Sequence, residues 1–202
     1  MGLILQESEE RNNDDVLLEP PPNFSAVEAG VIFRSSFPQP SNFSFLQSLN
    51  LRSVIYLCSE PYPQHNTEFL NAHNIQLFQF GIAGKTASTS SINDAVTEAL
   101  KILLDPTNHP VLIHCNQGKH RTGTVVGCFR KLQDWRLDSV LDEYKYFAGA
   151  KSRDGDLKFI ERFDGMKCLY SIMLQCRGSG SNRSRLICGE DDVLKNSLIR
   201  SS

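Results

Sequence analysis

Residues 114–123 read His-Cys-Asn-Gln-Gly-Lys-His-Arg-Thr-Gly, and their flanks decide the fold. Val111-Leu112-Ile113 in front of them is an apolar, strand-like run. Val125, Val126, Phe129 and Leu132 behind them recur at helical spacing. A short loop between a strand end and a helix start aims consecutive backbone N–H groups at one point. The helix dipole adds positive potential there, which suits a phosphate dianion. The same field suits a thiolate: a thiol at a helix N-terminus beside cations ionises with a pKa of roughly 3.5–7.5. Cys115 and Arg121 are separated by five residues with Gly118 between them. Cys115 is therefore the candidate nucleophile, and Arg121 a planar fork able to grip two phosphoryl oxygens. Gly118 lets the backbone bend without a Cβ. A lone cysteine at a strand end is more often a small buried hydrophobe. Here the strand, the glycine, the following Arg-Thr-Gly and the helix coincide, and that context favours the catalytic reading.

Outward from this loop the chain alternates between periods. Strand-like runs occupy 31–34, 53–58, 75–80 and 111–114, separated by helical patterns. The helices are a short one capped by Asn42, one over 64–73, one with Ala95, Val96, Ala99, Leu100, Leu103 and Leu104 on one face, and the helix after the loop. Two further amphipathic helices are expected, one from Asp138 or Ser139 and one holding Leu157, Ile160 and Phe163. The fold class is α/β, a mostly parallel central sheet flanked by helices, with ligand chemistry at the carboxyl ends of the strands. The domain is expected over 23–170. Residues 1–22 are acidic, end in three prolines and read as a flexible lead-in, and 171–202 read as a flexible tail.

Composition narrows the function. With 202 residues, 40% of them hydrophobic, the chain suits one globular domain, and a net charge of −2 gives no support for nucleic acid as a partner. The cysteines at 58, 115, 128, 168, 176 and 188 form no Cys-x-x-Cys pair, so neither a zinc site nor a disulfide framework is expected. A reducing compartment is the expected setting, with the cytoplasm first and the nucleus second. No apolar run approaches the ~18 residues of a membrane span. The N-terminus is too short and acidic for a signal peptide. Gln6 stands where a myristoylation signal needs Ser or Thr. Neither a cofactor nor a metal is expected, since the loop supplies the positive field itself. The oligomeric state is not read from this sequence.

A general acid is expected on a neighbouring loop. Residues 81–90 form a Gly/Ser/Thr-rich stretch without a carboxylate, and Asp94 is the first one after it. Asp94 has a second reading, because Ser91-x-x-Asp94 matches a helix capping box. Further candidate contacts to a substrate are Asn116, Gln117, Gly118, Lys119 and His120 within the loop, and Lys85, Ser91, Lys151 and Arg153 around it. Thr122 is a candidate donor to the Cys115 sulfur, and His114 is expected to orient the loop. Cys58 ends a neighbouring strand, as a buried apolar residue or as a partner that traps Cys115 under oxidant.

The chain also resembles a known family, the plant and fungal atypical dual-specificity phosphatases, over roughly residues 20–164. The resemblance rests on Pro-Pro-Asn-Phe-Ser (21–25), Phe-Arg-Ser (33–35), Asn-Phe-Ser-Phe-Leu (42–46), Tyr-Leu-Cys (56–58), Glu-Pro-Tyr-Pro (60–63) and Phe-Gln-Phe-Gly-Ile (78–82). It continues through His-Pro-Val-Leu-Ile-His-Cys (109–115), Gly-Lys-His-Arg-Thr-Gly (118–123) and Asp-Glu-Tyr (142–144). It implies a protein-tyrosine-phosphatase-like fold, with Cys115 as nucleophile and Arg121 as transition-state stabiliser. It also implies removal of the β-phosphate from inositol pyrophosphates, with weaker action on phosphoproteins or phosphoinositides. Two positions depart from the family pattern: Asn116-Gln117 stand where Lys-Arg is usual, and Ala83 where Glu is usual. A dual-specificity or tyrosine protein phosphatase, or a catalytically weak inositol-phosphate binding module, remain alternatives.

Overall fold

The computed structural model describes residues 18–82 and 89–178. Five strands form one sheet: β1 (Ser25–Glu28), β2 (Ile32–Ser35), β3 (Ser53–Tyr56), β4 (Gln76–Gln79) and β5 (Val111–His114). Their order is β1-β2-β5-β3-β4, antiparallel at β1–β2 and parallel elsewhere. β5 is central, and all four of its residues are buried. Its unbroken apolar run is what a parallel strand covered on both faces requires. Val111 and Ile113 join the larger core cluster, and Leu112 points into the smaller one on the other face. The register aligns Ser35, His114 and Tyr56 across the sheet, with Gln79 beside Tyr56. The carboxyl ends of the parallel strands therefore form one edge, and Cys115 leaves from its middle.

Among the described residues, seven α-helices cover the sheet: α1 (Phe43–Ser48), α2 (Gln64–Ala72), α3 (Thr89–Leu104), α4 (His120–Leu132), α5 (Leu137–Ala148), α6 (Asp154–Arg162) and α7 (Gly165–Gly178). The smaller cluster joins β-strand residues to α1 and α2 through Leu46, Phe69 and Leu70. α4 is the hub of the opposite layer, buried continuously from Thr122 to Arg130. Two glycines let its neighbours approach. A Cβ on Gly123 would stand 2.8 Å from the Tyr144 ring, and one on Gly127 would stand 2.8 Å from Ile160 Cδ1.

The expected strands and helices hold in kind, two further elements (β1 and α7) join them, and the domain's start and the start of α3 change. β1 was not expected; its short Ser-Ala-Val-Glu run carries little apolar signal. Residues 19–22 are not free of the domain. Asn42 Nδ2 donates to the Glu19 carbonyl (3.1 Å), and the Ser36 N–H donates to the Pro22 carbonyl (2.8 Å). α3 begins at Thr89, so Ser91 lies inside the helix and is not its cap. α7 continues to Gly178 with Ile172 1% exposed, so the ordered chain extends past residue 170. Met166, Tyr170 and Leu174 face outward on α7 and hide the helical periodicity that Cys168 and Ile172 alone would show. Residues 1–17 and 179–202 lie outside the described residues. Among the described residues, no helix is long and apolar enough to cross a membrane.

Candidate active site

The loop from Cys115 to Lys119 is shaped by what holds its carbonyl groups. The Asn116 carbonyl accepts from the Phe37 N–H (3.2 Å). The Gln117 carbonyl accepts from Asn23 Nδ2 (2.9 Å). The Gly118 carbonyl accepts from Arg34 Nη2 (2.9 Å), and the Lys119 carbonyl from the Gly123 N–H (3.0 Å). Four consecutive carbonyls are thus fastened by residues from outside the loop or beneath it. A peptide unit whose C=O points one way sends its N–H the other way, so the amides that follow converge on the opposite side. The first turn of α4, from His120, adds the free N–H groups of a helix start.

Gly118 is required by this geometry. Its φ is +64°, and a Cβ there would lie 2.5 Å from the Ser35 carbonyl carbon and oxygen and 2.6 Å from Ser36 N. The loop therefore rests on the end of β2. Asn23, which holds the next carbonyl along, is also left-handed at φ 55°. That conformation is one asparagine tolerates better than most residues.

Cys115 is only 4% exposed, at the foot of the loop. Arg121 is half-buried, and its Nη1 donates to Cys58 Sγ (2.9 Å). Cys58 Sγ in turn donates to Asn116 Oδ1 (3.4 Å). Burial pushes the Cys58 thiol up, with the Arg121 charge opposing, so Cys58 is a neutral partner that parks the guanidinium at the loop. His114 is fully buried, and burial pushes its imidazole down to about 3. It is neutral, and its Nε2 meets the Tyr62 hydroxyl at 3.1 Å. Rings of Phe37, Tyr56 and Tyr62 surround it. A neutral histidine locked among aromatics orients the loop's entering strand and is no proton donor. The Thr122 hydroxyl is buried in the first turn of α4 with no partner among the described residues. This suits a donor reserved for the sulfur.

The other sequence candidates fall into two groups. Asn116 and Gln117 are exposed on the loop, and Lys119 and His120 are half-buried there. His120 Nε2 makes a 2.6 Å hydrogen bond with the Lys151 carbonyl, which fastens the turn carrying Lys151 and Arg153 to the loop's end. Lys151 and Arg153 are exposed on that same edge. Asp94 and Ser91 lie on α3, and both are exposed. Asp94 is exposed and lines a cavity of about 630 Å³ between α3, α6 and α7, with Thr97, Lys158, Arg162 and Lys167. Lys85 and Ala83 lie outside the described residues. Sequence reasoning passed over Asn23 and Arg34. Arg34 directly follows the apolar run Val31-Ile32-Phe33, and nothing in that local pattern ties it to the loop.

Comparison with known proteins agrees with this geometry. The family model described as the tyrosine phosphatase family matches residues 18–172. The inositol diphosphatase DSP3 of Arabidopsis thaliana is 56% identical over 194 residues, covering 94% of each chain. The inositol diphosphatase SIW14 of Saccharomyces cerevisiae is 50% identical over 147 residues, 72% of this chain and 52% of that one. The crystal structure of the core catalytic domain of the PP-IP phosphatase SIW14, in complex with citrate, has a TM-score of 0.72 at 45% identity. That match covers 78% of this chain and 95% of the other. Pseudomonas aeruginosa TpbA, at 18% identity and a TM-score of 0.56, shares the fold. The family model over residues 18–172, with the relatives' identity across most of the chain, establishes that this chain is a phosphatase and belongs to the tyrosine phosphatase family.

Proposed function

We propose that this chain hydrolyses the β-phosphate of diphosphoinositol polyphosphates through a phosphocysteine on Cys115. The observation that carries the reading is the set of three consecutive carbonyls, 116 to 118, tied outside the loop, which turns the following amides toward the side of the buried Cys115 sulfur. The Cys115 thiolate attacks the terminal phosphorus. The P–O bond to the inner phosphate breaks, and that phosphate leaves with the bonding pair. Arg121 swings from Cys58 Sγ to two equatorial oxygens as charge redistributes there. Water then attacks the phosphocysteine, releases inorganic phosphate and restores the thiolate. A leaving phosphate is already a stable anion, so this reaction needs less proton assistance than an alkoxide would. An acid role for Asp94 is therefore not essential to this step. Lys119, His120, Lys151 and Arg153 line one edge and would meet the remaining ring phosphates. Because the thiol must stay reduced, we assign a reducing compartment as the place of action, the cytoplasm first and the nucleus second.

The test is a substrate panel. Diphosphoinositol polyphosphates should turn over at least about tenfold faster than phosphopeptides, a transition-state preference of about 1.4 kcal/mol. An equal or reversed preference would make the chain a protein phosphatase. Cys115→Ser should bind ligand with no turnover; ligand binding by wild type without turnover would mark a binding module.

A further inference from the structure

Arg34 is the only arginine or lysine in the four parallel strands, and it is 1% exposed. It shares a face of β2 with Ile32, the face that α4 covers. Its guanidinium carbon lies 3.7 Å from the centroid of the Phe147 ring. Nη2 donates to the Gly118 carbonyl, and a Cβ built on Gly123 would sit 3.8 Å from that same nitrogen. The guanidinium therefore lies beneath both the loop and the first turn of α4. Its Nε and Nη1 are buried without an acceptor. No carboxylate pairs with it among the described residues. Glu143, whose charge acts on Arg34, forms its bidentate contact with Arg130 instead.

An unpaired buried cation is costly, several kcal/mol per ion even after relaxation. Phe147 recovers part of this through its π face. Glu143 first and then Cys115 are the groups whose negative charge would favour the Arg34 cation, with Arg130 opposing, and Cys115 is the one of these that the loop carries. Burial, partly offset by the neighbouring Glu143, draws the guanidinium down to about 10, still charged at neutral pH.

We propose that Arg34 is a positioning residue for phosphoryl transfer, one that ties the Gly118 carbonyl behind the loop and holds a permanent positive charge under the Cys115 thiolate without touching substrate. The inference rests on the phosphocysteine reading above. It divides the loop's cations between two sides: Arg121 meets the phosphoryl group from the front, and Arg34 acts on the sulfur and the backbone from behind. The two contributions of Arg34 are separable. Lysine keeps the charge but loses the planar stack on Phe147 and the fixed fork. Methionine keeps the apolar stem and loses both.

The experiment compares wild type, Arg34→Lys, Arg34→Met and Cys115→Ser, with p-nitrophenyl phosphate as the turnover probe. Iodoacetamide labelling of Cys115, followed by mass spectrometry from pH 5 to 9, reads the thiol, and thermal melting checks the fold. Arg34→Met should lower kcat about 100-fold with KM within about threefold, as expected when loop geometry rather than substrate contact is lost. Its half-maximal labelling should move to higher pH by about one unit or more, the effect of removing a nearby opposite charge. Arg34→Lys should label like wild type and lose about tenfold in kcat. A merely structural arginine would leave the labelling profile of a folded variant unmoved. A folded Arg34→Met with wild-type kcat and labelling overturns the proposal. Should that variant not fold, Arg34→Lys decides: unchanged kcat, or a labelling profile shifted upward, overturns it equally. Turnover by Cys115→Ser would instead sink the phosphocysteine reading itself.

Discussion

Replacing Gly118 by alanine tests the loop account at its tightest point. The added Cβ meets three backbone atoms, the Ser35 carbonyl carbon and oxygen at 2.5 Å and Ser36 N at 2.6 Å. None is the far end of a flexible side chain. Ser35 is held in register opposite His114, and the Ser36 N–H is tied to Pro22, so the β2 end has little room to yield. Ordinary contact begins at 3.4 Å, so the loop itself must lift by about 0.9 Å. An L-residue at φ +64° costs roughly a further 1–2 kcal/mol. A displacement of about 1 Å in a reacting constellation removes about 100-fold in rate, equivalent to about 2.7 kcal/mol of barrier. Stopped or steady-state release of inorganic phosphate from a diphosphoinositol polyphosphate measures it, with circular dichroism confirming the fold. The expected result is a folded protein with kcat down about 100-fold. An alanine variant with kcat within about threefold of wild type would refute the idea that the Gly118–β2 contact sets the cradle.

Four other outcomes follow from particular contacts. His114 stays neutral in the folded chain down to about 3, whereas the unfolded chain takes up its proton near 6.5. Its contribution is therefore complete above about pH 6.5 and falls by about 1.4 kcal/mol per pH unit as pH drops toward about 3, a slope that urea melts across pH 4–7 will show. Gly127→Ala sets a Cβ against three Ile160 atoms at 2.8–3.2 Å. Overpacking of about 1–3 kcal/mol should outweigh the better helix propensity, giving a lower urea midpoint. Ile172→Ala should cost about 2–5 kcal/mol if the end of α7 is docked as described, and a null result in the same melt would detach it. Added EDTA should leave phosphate release unchanged, because amides and Arg121 carry the charge that a metal would otherwise supply.

What the sequence revealed, and what it hid, have physical reasons. β5 and α4 were legible because a fully covered parallel strand is continuously apolar, and because a buried helix repeats its apolar residues at fixed spacing. The start of α3 was misread because Ser91-x-x-Asp94 imitates a cap, while the helix begins at Thr89. α7 was missed because Met166, Tyr170 and Leu174 give it apolar residues on both sides. Asn23 and Arg34 were invisible as site residues for another reason. They act over sequence separations of 94 and 84 residues, which only the sheet order brings together. Local pattern carries no such information.

The departure at Asn116-Gln117 takes on a different meaning once the loop is seen from behind. Both side chains are exposed, but both carbonyls are structural, tied to Phe37 and Asn23. The cradle is made of peptide groups, and a peptide group is indifferent to the side chain it carries unless φ is unusual, as at Gly118. Exchanging two cations for amides at these positions therefore removes long-range attraction for a dense polyanion while leaving the amide ring in place. Such a change acts on encounter and on KM, and more strongly at low salt, where exposed charges are felt beyond about 10 Å. Gln117→Arg, which leaves the Asn116 Oδ1 contact with Cys58 intact, should accordingly lower KM for a diphosphoinositol polyphosphate at low ionic strength, with kcat nearly unmoved. The gain should shrink as salt is raised. A rise in kcat with constant KM would mean instead that this side chain acts on the transition state, and the division between a backbone cradle and a tunable surface would fail.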